Sequence, residues 1–322
     1  MLTSNSQQEI KNENEGEKIM EVKLQSPLSK DLILVAGATG NLGSAVTKVL
    51  LDQRRDVRIL VRPKSNYQPL VQAGAMPVFG DLKDRDSLYL ACEGVKTLIT
   101  TANSALRGGE DNVITVDTEG NRNLIDAAKA AGVKQFIFVS MNGADVNSPV
   151  PFFQAKGKTE DYLRSSGVPF TIVAPNAFMD VWIGMVIGIP SVSRGTVTIV
   201  GEGLRKHSFI SATDVTKFII KSINNPIAMK QRLAIGGPEP ATFRDAVTAF
   251  KIALGNREIL INSVAPGQPI PGLPDFMAQT LAGFEFFDSP IDMAELSKTF
   301  DVKLISLEEF ARDFVERSAA HK

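Results

Sequence analysis

Short β-branched apolar runs alternate with amphipathic stretches from residue 32 onward. Leu32-Ile33-Leu34-Val35-Ala36, Val57-Arg58-Ile59-Leu60-Val61, Met76-Pro77-Val78-Phe79, Thr97-Leu98-Ile99-Thr100, Phe136-Ile137-Phe138-Val139 and Phe170-Thr171-Ile172-Val173 read as strands. Helical patterns separate most of them, among them Asn41 to Leu51 and Thr118 to Ala131. Strands that are apolar throughout need cover on both faces, and strands alternating with helices supply it from a parallel sheet. The pattern predicts an α/β protein with a doubly wound parallel sheet.

From Asn176 the rhythm loosens. Thr196 to Val200 reads as a strand, Asp214 to Ile223 as a helix and Arg232 to Ile235 as a last strand. Beyond Gly236-Gly237-Pro238 the chain predicts two or three helices and the proline-rich stretch Pro266 to Pro274. The expected organisation is a disordered polar tail over 1–30, a sheet domain over 31–236, and a smaller, mainly helical α/β lobe over 237–322 that contributes to a substrate cleft. A length of 322 residues suits about two such units.

Composition narrows the function. Lys and Arg number 35 against 36 Asp and Glu, so the net charge of -1 gives no basic field for nucleic acid or anionic lipid. The one cysteine, Cys92, cannot form an intrachain disulfide, and with two histidines it cannot build a Cys/His zinc cage. These counts predict a reducing, cytoplasmic setting and no metal. In Leu88-Tyr89-Leu90-Ala91-Cys92 the thiol reads as buried and inert. The apolar run Val181 to Ile189 stops at Pro190, short of the ~20 residues that span a bilayer. Within it Trp182, Met185 and Ile189 have helical spacing and read either as the wall of an apolar cleft or as core.

Val35-Ala36-Gly37-Ala38-Thr39-Gly40-Asn41-Leu42-Gly43 joins the first strand to the first helix, with three glycines in G-x-x-G-x-x-G spacing. Glycines there allow a tight turn, a close backbone approach to pyrophosphate and tight helix–sheet packing. Strand before, helix after and a second strand ending about 25 residues on make this a dinucleotide site, with Gly37, Thr39, Gly40, Asn41, Leu42 and Gly43 against the cofactor. The second strand ends in Val61-Arg62-Pro63-Lys64-Ser65 where an NAD site would carry an acid for the ribose 2′-hydroxyl. Arg62 and Lys64 suit a 2′-phosphate instead, so NADP(H) is expected ahead of NAD(H). Asp81 and Leu82 close the third strand, and Thr101 and Asn103 the fourth, at the edge that faces the cofactor. Asp81 serves equally as a helix cap.

These motifs resemble the short-chain dehydrogenase/reductase superfamily and, more closely, its atypical NmrA-like branch. Further carriers are Ala127 to Phe136, Lys156 with Glu160, Thr171 to Met179 and Phe209 to Val215. The resemblance covers roughly residues 31 to 236 and implies a Rossmann fold. Members include isoflavone-reductase-like enzymes, quinone reductases, redox sensors and photosystem assembly factors. Active short-chain dehydrogenases use a Ser and a Tyr-x-x-x-Lys. The resemblance assigns Ser140 and Lys156 to that machinery, and Lys156 also to the nicotinamide ribose of the cofactor, but Phe152 stands where the Tyr belongs and brings no ionisable proton. Tyr162 lies about 240° around a helix from Lys156 and cannot substitute. Asp117 stands where extended members often place a relay Asn.

Pro175, Asn176 and Phe178, after the sixth strand, are expected on the nicotinamide side, with core as the other reading of Phe178. His207 reads as an exposed edge residue, with reach into the pocket as the other reading, and Asp214 as a structural helix start. The implied activity is hydride transfer from NADPH to an apolar carbonyl, quinone or conjugated compound. The alternative is a non-catalytic NADP(H)-binding sensor or assembly factor with a protein partner.

Overall fold

The structure, a computed structural model, describes residues 31–105, 107–270 and 272–320. The expected tail over 1–30 lies outside the described residues. Seven strands, β1 (Ile33–Ala36), β2 (Val57–Val61), β3 (Met76–Phe79), β4 (Thr97–Thr100), β5 (Gln135–Val139), β6 (Phe170–Pro175) and β8 (Arg232–Ile235), form one sheet in the order β3-β2-β1-β4-β5-β6-β8. Every pairing in it is parallel. The order reverses direction between β1 and β4, which opens a crevice at the carboxyl ends of the strands.

Away from the edge strand β3, both faces of the sheet are buried, which is why its central strands are mostly apolar. Ile33 and Val35 point into one core with Val46 and Leu50 of α1 (Asn41–Asp52) and Phe218 of α7 (Ala212–Ser222). Leu34 and Ala36 point into the other. There they meet α3 (Arg85–Cys92), α4 (Asn121–Ala130) and α5 (Pro151–Ser165), which follow the short α2 (Gln68–Gln72) in the chain. Cys92 is buried in that second core, where burial pushes its thiol up to about 12. The stretch expected as one helix from Thr118 starts as a π-helical segment, Val113–Gly120, and becomes α-helical at Asn121.

Packing does not follow a single cut at residue 236. A third core gathers the π-helical segment Met179–Gly188, β7 (Thr196–Val200) and the helices α8 (Phe243–Ala253), α9 (Asp275–Gly283) and α11 (Leu307–Ala320). The short α6 (Ile189–Ser193) links that segment to β7, and α10 (Ala294–Thr299) leads into α11. Between the two contributions, α7 and β8 return to the main sheet. β7 pairs with β9 (Leu260–Val264), a strand the sequence reading passes over, because only its Ile261 and Val264 are even half-buried. The helical spacing read for Trp182, Met185 and Ile189 does not make one wall: Trp182 packs on Phe284 whereas Ile189 is exposed. No helix among the described residues is long and apolar enough to cross a membrane.

Candidate functional site

At the end of β1 the backbone turns at Gly37, with φ at +81°, a conformation that favours glycine. A Cβ there would lie 2.7 Å from both Ala102 N and Thr101 Oγ1, and one on Gly43 would lie 2.2 Å from Gly37 O. Thr101 Oγ1 donates to Gly37 O at 3.2 Å, fastening the end of β4 to the turn. Gly40 differs: it is exposed, with φ at -81°, and a Cβ would meet only Gly37 O at 3.4 Å. The space above it is open. Helix α1 then begins without a side-chain cap, so its first N–H groups present the positive end of the helix dipole to that space. Asn41 is exposed there, while Thr39 and Leu42 are half-buried. An open, glycine-lined, uncapped helix start has the chemistry that a pyrophosphate requires.

Beyond β2 and β3 lies a charge cluster. Arg62 Nη1 donates to Asp111 Oδ2 at 2.5 Å, Arg107 Nη1 reaches the same oxygen at 3.2 Å, and Lys83 bonds Asp111 Oδ1. Asp81 faces Lys83 at 3.3 Å and Arg62 at 3.9 Å. Lys83 above all, with Arg62 and Arg107, holds the Asp111 carboxyl well below the usual carboxylate range. Lys64 is exposed and joins no ion pair among the described residues. The helix cap belongs to Asp84, which accepts from Asp86 N and Ser87 N, while Asp81 accepts from Lys83 N. Leu82 is buried against Gly120. Asn103 bonds Thr101 O and Ala105 N, shaping the loop after β4.

At the end of β5 Lys156 is buried, its Nζ 3.4 Å from Asp117 Oδ1 and 3.5 Å from Val139 O. Burial lowers its pKa from the ordinary lysine value, against the pull of Asp117. The other Asp117 oxygen accepts from Ser104 N and Ser104 Oγ, at 3.0 and 2.6 Å, while Oδ1 has no hydrogen-bond partner beyond this ion contact. Rings of Phe138 and Phe152 stand 5.1 and 5.4 Å from Nζ, centroid to nitrogen. Ser140 donates to Glu160 Oε1 at 2.5 Å, and Glu160 is held by Arg232 and Arg164. The structure thus brings Ser140 into a buried carboxylate network. Tyr162 bonds Asp126, away from Lys156.

On the β6 side Pro175 is buried, Phe178 packs half-buried on the first core, and Asn176 Nδ2 donates to Ser289 O at 2.7 Å. His207 is fully buried, contrary to the exposed edge expected of it. Its Nδ1 lies 2.7 Å from Ser289 Oγ and its Nε2 3.1 Å from Phe284 O, with Phe209, Phe284 and Phe287 around the ring. Asp214 is buried between Lys217 and the Ile305 N–H, in a structural role. The sequence reading misses Lys83, Arg107, Asp111, Ser104 and Ser289. Apart from Arg107 with Asp111 at i, i+4 and Lys83 with Asp81 two residues away, these residues meet their partners through chain segments separated in sequence.

Fold, glycine turn and strand-end cations define a doubly wound protein of the dinucleotide-binding type. The NmrA-like family model matches residues 29–316, and the chain belongs to the NmrA-like family. Photosystem II assembly factor Ycf39 of Cyanophora paradoxa is 35% identical over 191 residues, 59% of this chain and 59% of that protein. The match therefore spans less than two thirds of that relative's length. An NAD(P)H azoreductase of Xenophilus azovorans is 27% identical over 255 residues, 78% of this chain and 85% of its own. Among solved structures, the NADPH-dependent quinone oxidoreductase QOR2 of Escherichia coli, complexed with NADPH, has a TM-score of 0.73 at 22% identity, covering 87% of this chain and 99% of its own. The Citrobacter sp. triphenylmethane reductase complexed with NADP(H) has a TM-score of 0.74 at 19% identity, covering 89% and 99%. At such identities these two share the fold.

Proposed function

We propose that this NmrA-like protein binds NADP(H) across the carboxyl ends of β1, β2 and β4 and reduces an apolar quinone, conjugated compound or carbonyl. One observation carries the reading: an open, uncapped glycine turn shares a sheet edge with Arg62 and Lys83, beyond the ends of β2 and β3. Backbone N–H groups of the turn would hold the pyrophosphate, and the two cations the 2′-phosphate. The azoreductase relative and the NADPH-bound neighbours support the same assignment.

NADPH, when bound, supplies a hydride. Of the residues that move protons in active short-chain dehydrogenases, Lys156 alone keeps a titratable group at the site. Phe152 offers none, and Ser140 is engaged by Glu160. Lys156 Nζ holds a proton beside Asp117, in surroundings that loosen it. A site equipped in this way suits acceptors that draw protons from water, such as quinones and conjugated systems, better than an unactivated carbonyl.

The Ser140–Glu160 bond also favours a second reading, a non-catalytic NADP(H)-binding assembly or regulatory factor. The Ycf39 relative points the same way. NADPH and NADH titrations, followed by NADPH oxidation with a benzoquinone, an azo dye and an aldehyde, separate them. The enzyme reading expects tighter NADPH than NADH, loss of that preference in Arg62→Ala, and oxidation above the protein-free rate. Tight NADPH with background oxidation selects the second reading. Equal affinities for both nucleotides overturn the cofactor assignment.

A further inference from the structure

We propose that Asp111 is an internal stand-in for the 2′-phosphate: it holds Arg62 and Lys83 in the cofactor-free protein, and NADPH binds by exchanging its phosphate for that carboxylate. The inference rests on the NADP(H) reading above. Its starting point is topology. β4 lies two strands from β2, with β1 between them. Neighbouring strands are about 4.8 Å apart, so a segment that leaves β4 and touches Arg62 must cross roughly 10 Å over the carboxyl end of β1. That end carries the glycine turn. Asp111 is thereby delivered to the strand-end cations from across the crevice.

The charge arrangement is the second part. Three cations converge on one carboxylate: Arg62 at 2.5 Å, Arg107 at 3.2 Å, and Lys83 on the other oxygen. Asp111 is largely covered, whereas Arg62 and Lys83 keep 41% and 31% of their side chains exposed, so an incoming anion can reach them. A phosphate monoester carries about -1.5 to -2 charge and three acceptor oxygens, more than a carboxylate offers the same two cations. It therefore competes successfully. A ribose hydroxyl carries no charge and leaves the Asp111 contacts in place. Arg107, four residues before Asp111 on the same segment, keeps the released carboxylate paired. Lys83 is then the second phosphate-binding cation.

Two consequences follow for binding. Asp111 weakens NADPH, because its contacts must be given up, and it leaves NADH nearly untouched. Calorimetric titration of the full chain with NADPH and NADH tests this in Asp111→Asn, Asp111→Ser, Lys83→Ala and Arg62→Ala, with thermal melting to show that each is folded. Because Arg62 and Lys83 stay open to solvent, their ion pairs contribute little to folding, so the variants are expected to melt near the parent. Both Asp111 variants should bind NADPH about tenfold more tightly, with NADH changed less than about twofold. Lys83→Ala should weaken NADPH about tenfold and spare NADH. If Arg62→Ala loses NADPH preference while the Asp111 variants bind NADPH no more tightly, the exchange is wrong and the cofactor reading stands. Equal tightening of both nucleotides would make Asp111 a steric cover and overturn the exchange. NADPH binding that survives Arg62→Ala unchanged removes the reading and the exchange together.

Discussion

The proton-moving role proposed for Lys156 is limited by its neighbours. Its ammonium is buried against Asp117, and the ring that stands where a tyrosine would serve belongs to Phe152. Phe152→Tyr places a phenol next to Nζ, and a cation at that distance favours the phenolate. Aldehyde-dependent NADPH oxidation should therefore rise above the parent in Phe152→Tyr and vanish again when Lys156→Ala is added. The gain should stay modest, because Ser140 remains committed to Glu160. No change in Phe152→Tyr would mean that the nicotinamide does not approach this ring. Lys156 also has a structural side. Removing it leaves the Asp117 carboxylate buried with one unpaired oxygen, which costs about 3 to 5 kcal/mol. In denaturant melts Lys156→Met should lose that much, and Lys156→Met with Asp117→Asn should recover most of it. A Lys156→Met protein as stable as the parent would show that Asp117 takes up a proton or another partner.

Within the strand–turn–helix element Gly40 and Gly43 carry different constraints, which one pair of variants separates. An alanine at Gly43 brings its Cβ to 2.2 Å from Gly37 O and 2.7 Å from Thr101 Oγ1, so Gly43→Ala should lose about 3 kcal/mol and melt early. A Cβ at Gly40 meets nothing closer than 3.4 Å, so Gly40→Val should cost about 1 kcal/mol, far less than Gly43→Ala. It should nonetheless abolish both NADPH and NADH binding, because it fills the space the pyrophosphate needs. Nucleotide binding retained by a folded Gly40→Val would take the glycine turn out of the site. The contrast also shows what was legible in the chain. Turn and main-sheet strands announce themselves because their causes are local: a positive φ, a close backbone approach, an apolar run. Asp111 reaches Arg62 from 49 residues away, and Lys83 from the end of another strand, so only the strand order brings them together. The same holds for the burial of His207, whose covering rings Phe284 and Phe287 come from about eighty residues further along the chain, and for β9, whose mostly exposed residues carry no alternation to read.

Across the whole molecule, the sheet edge and the third core are joined through Ser289. Its carbonyl and hydroxyl accept from Asn176 Nδ2 just after β6, and its hydroxyl meets His207 Nδ1. Phe284 O can only accept, which puts the imidazole proton on Nε2 and leaves Nδ1 to accept from Ser289. Burial depresses the His207 pKa, against the pull of the hydrogen bond to Phe284 O and of the Asp288 and Glu285 charges. The native state thus keeps this histidine neutral, whereas the unfolded chain protonates it near pH 6.5. Its contribution to stability is complete above about pH 6.5 and is lost as pH falls from there towards the lower native value, because unfolding then takes up a proton. Thermal melting from pH 8 to pH 5 should therefore fall more steeply for the parent than for His207→Gln, which cannot titrate. Ser289→Ala strands Nδ1 while Asn176 keeps its bond to the backbone carbonyl of residue 289, and should cost about 1 to 3 kcal/mol at neutral pH. Parallel melting curves for the parent and His207→Gln would show that the joint between the sheet edge and the third core does not sense pH.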